Sequence, residues 1–404
     1  MKEESFFELV IKSIGGVLFL PFWYLERLLP RKKKSWIFGS WFGLRYSDNS
    51  RAIYEYVLTN HPDIKAVWIT KDRAVYKRLK SEGKPVEYYN SIRGILLSLN
   101  AGAVFITTSP KDTNALCLNG AFAVWLWHGV GLKCIMADEK RFKWAHYSRF
   151  KKIKVWINKV LFPYENSPGK DAILNTGDFF SRFFMSGFQV DENRIWVEGY
   201  PRNDMLFSEK SDEAAVILRK KFPTATFIIY MPTHRINARK NSPFNGFEGF
   251  GFDREYFFEI LEKGDYVFLN KGHFYDQTAS IEIKNERFIN ITDNDYDDLY
   301  LFIKEMDILI TDFSSIYFDF LLLKKPIILA PFDYDDYVSL ERPLQFDYYE
   351  QEGVRTDNWQ ELLDVLDKRS YYVPSSKTVQ KFHKYIDGKS CSRIVDRTKK
   401  SLGI

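Results

Sequence analysis

Two doubly wound α/β domains facing one another across a cleft are the architecture this chain predicts. The first ground is size: 404 residues with 45% apolar content exceed what one ordinary core organises. The second is periodicity, because short apolar, β-branched and aromatic runs alternate with longer helix-like segments in the manner of βαβ units. The third is punctuation. Several of those runs end in glycine, histidine, cations or hydroxyls, and in open α/β sheets ligands bind at the carboxyl ends of the strands.

Residues 1–34 come first, rich in large apolar side chains and closed by the basic run Arg31–Lys34. The uncharged stretch from Ser13 to Leu25 falls short of the ~20 residues of a spanning helix, and Pro21 interrupts it. Glu3, Glu4 and Glu8 give the wrong flank for a signal peptide. The segment therefore reads as an interfacial helix with its basic run against anionic headgroups, a buried core helix being the plainer alternative. Strands are expected over Ser35–Phe42, Lys65–Thr70, Ala103–Thr108, Ala123–Trp127 and Ala172–Thr176, then over Thr226–Met231, Tyr266–Asn270, Phe288–Thr292, Ile308–Thr311 and Pro326–Ala330. A boundary near Asn203 to Lys221 gives domains over 35–205 and 206–375, with a C-terminal helix over 376–404.

A net charge of +5 is small for this length, so charge matters only where it is clustered. Lys140 to Lys159 holds eight Lys or Arg and no carboxylate, interleaved with Phe142, Trp144, Tyr147, Phe150 and Trp156. That mixture suits an anionic membrane better than nucleic acid, since no nucleic-acid motif accompanies it. Cys117, Cys134 and Cys391 are too far apart for a disulfide framework or a metal-type pair, which fits a reducing compartment. Neither a P-loop nor a GxGxxG is present, and the acidic clusters Asp293–Asp298 and Asp333–Asp336 match no calcium or zinc spacing. Helix capping is the better reading of the first cluster.

The strand ends collect the candidate chemistry. Thr311-Asp312-Phe313-Ser314-Ser315 closes a buried strand with hydroxyls where a helix N-cap belongs, so free N–H groups meet an anion there; capping alone is the bland reading. Asp312 and Asp319 add acceptors for a ribose or glycerol hydroxyl. His128 stands at a strand end before Gly129, with Lys133 one turn later, and His273 has the same character between Gly272 and Phe274, two residues after Lys271. Imidazole titrates near neutrality, so two histidines facing each other make an acid/base or phosphate-stabilising pair, although a lone histidine is more often structural. Pro232-Thr233-His234-Arg235 and Gly199-Tyr200-Pro201-Arg202 complete a set of ends suited to a polyanion, phosphate above all.

Trp127-His128-Gly129 with Lys133, Gly199-Tyr200-Pro201-Arg202-Asn203-Asp204, Pro232-Thr233-His234-Arg235 and Asp307 through Ser315 together resemble the CDP-glycerol glycerophosphotransferase family, as do Leu323-Lys324-Lys325-Pro326, Phe332 through Tyr337 and Asp387-Gly388-Lys389-Ser390. The resemblance runs from about Trp36 onward, in the family's order. It implies a GT-B-like fold, with an acceptor- and membrane-facing first domain and a CDP-donor second domain. It further implies transfer of glycerol phosphate or a related polyol phosphate from a CDP donor to a lipid-linked teichoic-acid or capsule polymer, at the cytoplasmic face of the membrane, with release of CMP.

Carried over by motif, His128 resembles the family's catalytic base and His273 its partner. Trp127, Gly129, Arg202, Pro232, Thr233, Lys271, Ser314, Ser315 and Asp319 fall where the family contacts the CDP-polyol, and Lys133, Arg235 and Asp312 join them as binding candidates. Val130-Gly131 replaces the frequent Thr-Pro after Trp-His-Gly, and Phe274 replaces a frequent proline. No cofactor is implied and no residue cluster demands a metal, while magnesium riding on the donor diphosphate stays open. Two rivals stand beside this reading: a nucleotide-sugar glycosyltransferase on the same architecture, and a membrane-bound polymer-binding protein without turnover.

Overall fold

Seven strands pair in parallel in the first half of the chain: β1 (Lys32–Gly39), β2 (Lys65–Thr70), β3 (Val86–Tyr88), β4 (Ala101–Ile106), β5 (Phe122–Trp125), β6 (Ala172–Asn175) and β7 (Ile195–Val197), in the order β3-β2-β1-β4-β5-β6-β7. Six more form a second parallel sheet: β8 (Thr226–Met231), β9 (Tyr266–Asn270), β10 (Phe288–Asn290), β11 (Ile308–Thr311), β12 (Ile327–Leu329) and β13 (Val354–Arg355), ordered β10-β9-β8-β11-β12-β13. This computed structural model describes residues 20–144, 147–161, 170–233, 235, 247, 249–272 and 285–404, without the side chains of 140–143, 158, 159 and 161.

The central strands explain themselves. Trp36-Ile37-Phe38 on β1, Ala103–Ile106 on β4 and Ile308–Ile310 on β11 are almost entirely buried, because helices cover both faces of a parallel sheet. Helix starts follow local side-chain caps: Asp72 accepts from the Val75 N–H, Ser91 from Gly94 and Asp298 from Tyr300. The last of these agrees with the capping role expected of the acidic cluster. Strand order reverses between β1 and β4 in the first sheet and between β8 and β11 in the second, and crevices for ligands form at such reversals.

Both ends of the chain depart from expectation. The first strand begins at Lys32, so the basic run lies largely inside β1 and a boundary at residue 34 would cut that strand. Arg31 turns inward and donates to the carbonyls of Ser98 (2.9 Å), Cys117 and Asn119. Residues 20–25 are helical and run into a 3-10 turn, Glu26–Leu28. Trp23 and Glu26 are buried there, anchored by Asn119, whose side-chain amide donates to the Trp23 carbonyl at 2.7 Å and whose N–H meets the Glu26 carboxylate. Phe22, Tyr24, Leu25, Leu28 and Leu29 stay exposed. Residues 1–19 of the expected interfacial segment lie outside the described residues, and among those described no helix is long and apolar enough to cross a membrane.

At the other end, the expected single helix is two, Ser376–Phe382 and Ser390–Leu402, and both return to the first domain. The Lys384 N–H bonds the Thr176 carbonyl at 2.8 Å, and the N–H groups of Ser390 and Cys391 bond the Asp204 carboxylate at 2.9 and 2.8 Å. A side chain at Gly199 would lie 2.5 Å from Ser390 Oγ, so this crossing needs glycine. The basic aromatic stretch is also two helices, Met136–Trp144 and Arg149–Leu161.

Candidate active site

His128 sits three residues past β5, on a loop bent so tightly that Trp127 has φ 57° and Gly129 φ 153°. A Cβ on Gly129 would lie 2.5 Å from Ser315 Oγ, so only glycine lets the first domain's loop touch the start of the second domain's helix Ile316–Leu321. This contact brings His128 and Ser314–Ser315 to one place. Ser315 occupies the N-cap position, yet its side chain makes no capping bond; Ser314 Oγ accepts weakly from the Ile316 N–H at 3.4 Å. The hydroxyl-rich helix start is thus present, with at least one hydroxyl not committed to capping.

The His128 ring packs against Trp127 (4.2 Å between centroids) and Trp41 (5.6 Å) and is half-buried. Its Nδ1 is buried without a hydrogen-bond partner among the described residues. Burial pushes the imidazole pKa down to about 4; Asp48 opposes the shift and Arg202 adds to it. At neutral pH the ring is therefore neutral and able to accept a proton.

Lys133 reaches from the same loop toward the second domain, its ammonium 5.6 Å from the Tyr337 ring. Segments pair across the domains beside it, with Gln345 N–H donating to the Leu132 carbonyl at 2.8 Å and Cys134 N–H to Pro343 at 2.9 Å. Desolvation lowers the Lys133 pKa to about 7, against the pull of Asp312. Thr233 follows β8 by two residues; its N–H bonds Asp312 at 2.8 Å, and its hydroxyl is buried with no partner among the described residues. Pro232 leads into that turn, and Lys271, at the end of β9, pairs with Asp293 at 2.9 Å. Burial alone would raise the Asp293 carboxyl, but Lys271, Tyr296 and Arg45 outweigh it and hold the pKa at about 2.

Five residues expected to contact the ligand have protein partners in the structure. Arg235 is 3% exposed and forks onto Asp333 (2.7 and 2.8 Å) and Asp312 (2.8 Å), which stabilises the β8 and β11 ends against each other. Asp312 also accepts from the N–H groups of Thr233 and Phe313 through Oδ1, so that oxygen is taken up within the protein. Arg202 and Asp319 bond one another at 2.7 Å in a buried knot. Trp127 is a core residue, packed edge-on against Phe188 at 4.9 Å and 6% exposed. In each case the charge or ring is met by a group of the protein itself.

His273 and His234 lie outside the described residues. Sequence reading missed Asp48, Asn49, Trp41 and Tyr300, which surround His128 and the Arg202 knot. Asp48-Asn49 looks like any helix start, and only its left-handed backbone at Asp48 (φ 66°) sets it apart. His383 is buried and bonds the Phe318 carbonyl at 2.7 Å, a structural role in the crossing to the first domain.

Comparison with known proteins meets this geometry from outside. A teichoic acid glycerol-phosphate transferase of Staphylococcus aureus is 29% identical over 400 residues, covering 95% of this chain and 97% of that protein. The teichoic acid poly(glycerol phosphate) polymerase of Bacillus subtilis is 25% identical over 91% of this chain, which spans 49% of that longer protein. The solved wall teichoic acid polymerase TagF superposes with a TM-score of 0.71 at 24% identity, covering 98% of this chain and 97% of that one, a likeness of the two-domain fold. The profile of the CDP-Glycerol:Poly(glycerophosphate) glycerophosphotransferase family matches residues 22–400, and this chain belongs to that family.

Proposed function

We propose that the protein transfers glycerol phosphate, or a related polyol phosphate, from a CDP-polyol to a hydroxyl of a lipid-linked teichoic-acid or capsule polymer. The observation that carries this is the neutral His128, its buried Nδ1 without a hydrogen-bond partner among the described residues, on a loop held against the hydroxyl-bearing helix start at Ser314–Ser315. In this reading the acceptor oxygen attacks the phosphorus bonded to the polyol, its proton passes to His128, and the bond to CMP breaks. Lys133, Lys271, Thr233 and the Ser314–Ser315 turn stabilise the phosphates, and His273 serves as the donor-side partner. Such a reaction needs positioning and positive charge rather than a protein nucleophile. A histidine variant of TagF has been solved after soaking with CDPG, which supports a CDP-linked donor for this chain.

The same reading places the enzyme at the inner membrane surface. On the helix Arg149–Leu161, Phe150, Ile153, Trp156 and Val160 recur at helical spacing and are exposed, with Lys151 and Lys154 between them. An apolar stripe facing solvent among cations suits an anionic interface.

CMP release from CDP-glycerol, measured with a soluble lipid-analogue acceptor, tests the reaction. His128→Ala is expected to lower turnover at least ~100-fold, the usual scale for a positioned base. Near-normal release by the folded variant would sink the assignment, and UDP released from a nucleotide sugar instead would favour the glycosyltransferase rival.

A further inference from the structure

We infer that Arg202 is a positioning residue rather than a substrate contact: it locks the His128 loop of the first domain in register with the Ser314–Ser315 helix of the second. The inference rests on the proposed role of His128. Arg202 lies in the 3-10 turn Pro201–Phe207, and its side chain is 7% exposed. Nη1 donates to Asp48 Oδ1 at 2.8 Å and to the His128 carbonyl at 3.0 Å, while Nη2 donates to Asp319 Oδ2 at 2.7 Å. Tyr200 and Tyr300 lie 5.3 and 5.0 Å from the guanidinium. Nε is buried as well.

Each partner extends the lock. Asp48 also accepts from the Trp41 indole at 3.1 Å, and that indole packs on the His128 ring. The Arg202 N–H bonds Asn49 Oδ1, whose amide nitrogen donates to the Trp127 carbonyl at 2.8 Å. Consecutive carbonyls of the strained loop, Trp127 and His128, are therefore held from one side. On the other side Asp319 belongs to the helix that Ser315 begins, and Asn203 (3.0 Å) and Tyr300 (2.8 Å) complete its shell. One guanidinium thus spans from the base to the helix that faces it. A planar fork does this where an ammonium cannot, because three acceptors lie in fixed directions.

The charged groups that act on His128 are Asp48, Arg202 and Arg342. Removing the Arg202 cation should raise the pKa of the imidazole and removing the Asp48 anion should lower it, so the two variants move the acid limb of kcat/KM in opposite directions. The experiment is steady-state kinetics against CDP-glycerol and pH for wild type, Arg202→Lys, Arg202→Gln, Asp48→Asn and Asp319→Asn, with thermal melting as the folding control. Arg202→Lys and Asp319→Asn are expected to lower kcat at least about tenfold with donor KM within about twofold, the signature of lost positioning rather than lost binding. Arg202→Gln should move the acid limb up and Asp48→Asn down. A raised donor KM with kcat intact in Arg202→Lys would make Arg202 a ligand contact and overturn the inference, as would wild-type kcat in Asp319→Asn. Should Arg202→Gln fail to fold, Asp319→Asn and Asp48→Asn still decide the matter. Full turnover in His128→Ala would instead remove the underlying role of the base, whereas loss there with normal Arg202→Lys and Asp319→Asn removes the positioning inference alone.

Discussion

Among single residues, Lys133 and Arg235 show how alike two cations look in sequence and how differently they behave when folded. Arg235 spends its fork on Asp312 and Asp333, and breaking a buried ion pair from one side costs roughly 3–5 kcal/mol. Arg235→Met is therefore expected to depress the melting temperature strongly, and an unchanged melt would show the fork contributes little. Lys133 makes no hydrogen bond or ion pair among the described residues, and its pKa near 7 leaves the ammonium charged below that pH and progressively neutral above it. Donor affinity in the free enzyme should fall as pH rises through about 7, and Lys133→Met should weaken donor binding and flatten that dependence. A donor KM that stays constant across the range in wild type would exclude Lys133 from the phosphates. Motifs located His128, Thr233 and Ser314–Ser315 at strand ends, but which polar groups already possess protein partners depends on contacts such as Asp319 with Arg202, 117 positions apart. No local pattern encodes them.

Elements were legible in proportion to their length and burial. Thr226–Met231, Tyr266–Asn270 and Ile308–Thr311 begin and end where their apolar runs do, since a strand covered on both faces leaves a continuous apolar signature. The edge strands β3, β7 and β13, of three, three and two residues, were missed because they are too short to show any period. At this scale the proposed function draws on the start of the helix Ile316–Leu321, where Ser315 makes no capping bond. Ser314→Ala with Ser315→Ala is expected to raise donor KM more than it lowers kcat, because hydroxyls at a helix start meet ground-state phosphate as well; unchanged affinity would count against the helix start as a phosphate site. The helix Arg149–Leu161 carries the membrane expectation. Replacing Lys151, Lys152 and Lys154 by Gln should weaken co-sedimentation with anionic vesicles, at about 1 kcal/mol per charge near the surface, and leave binding to neutral vesicles unaltered. Equal sedimentation of both forms would return that helix to ordinary solvent exposure.

Over the whole molecule, ion pairs stitch the two sheets' domains together away from the buried knot: Arg45 with Asp293 at 2.9 Å and Arg51 with Asp297 at 2.5 Å. Neither acidic residue was assigned a partner from sequence, since the pairing spans 248 and 246 positions. The tail helix Ser390–Leu402 has a larger consequence, one that concerns synthesis rather than catalysis. The Asp204 carboxylate receives its two N–H donors from Ser390 and Cys391, and Arg393 and Arg397 reach Glu198, so the first domain is completed by residues that follow the second domain in the chain. While the ribosome is still making the second domain, the first exposes the apolar surface that Cys391, Ile394 and Val395 later cover. The nascent chain therefore carries an open first half until the helix Ser390–Leu402 has been made, and a stop anywhere before that helix releases a protein with that half still open.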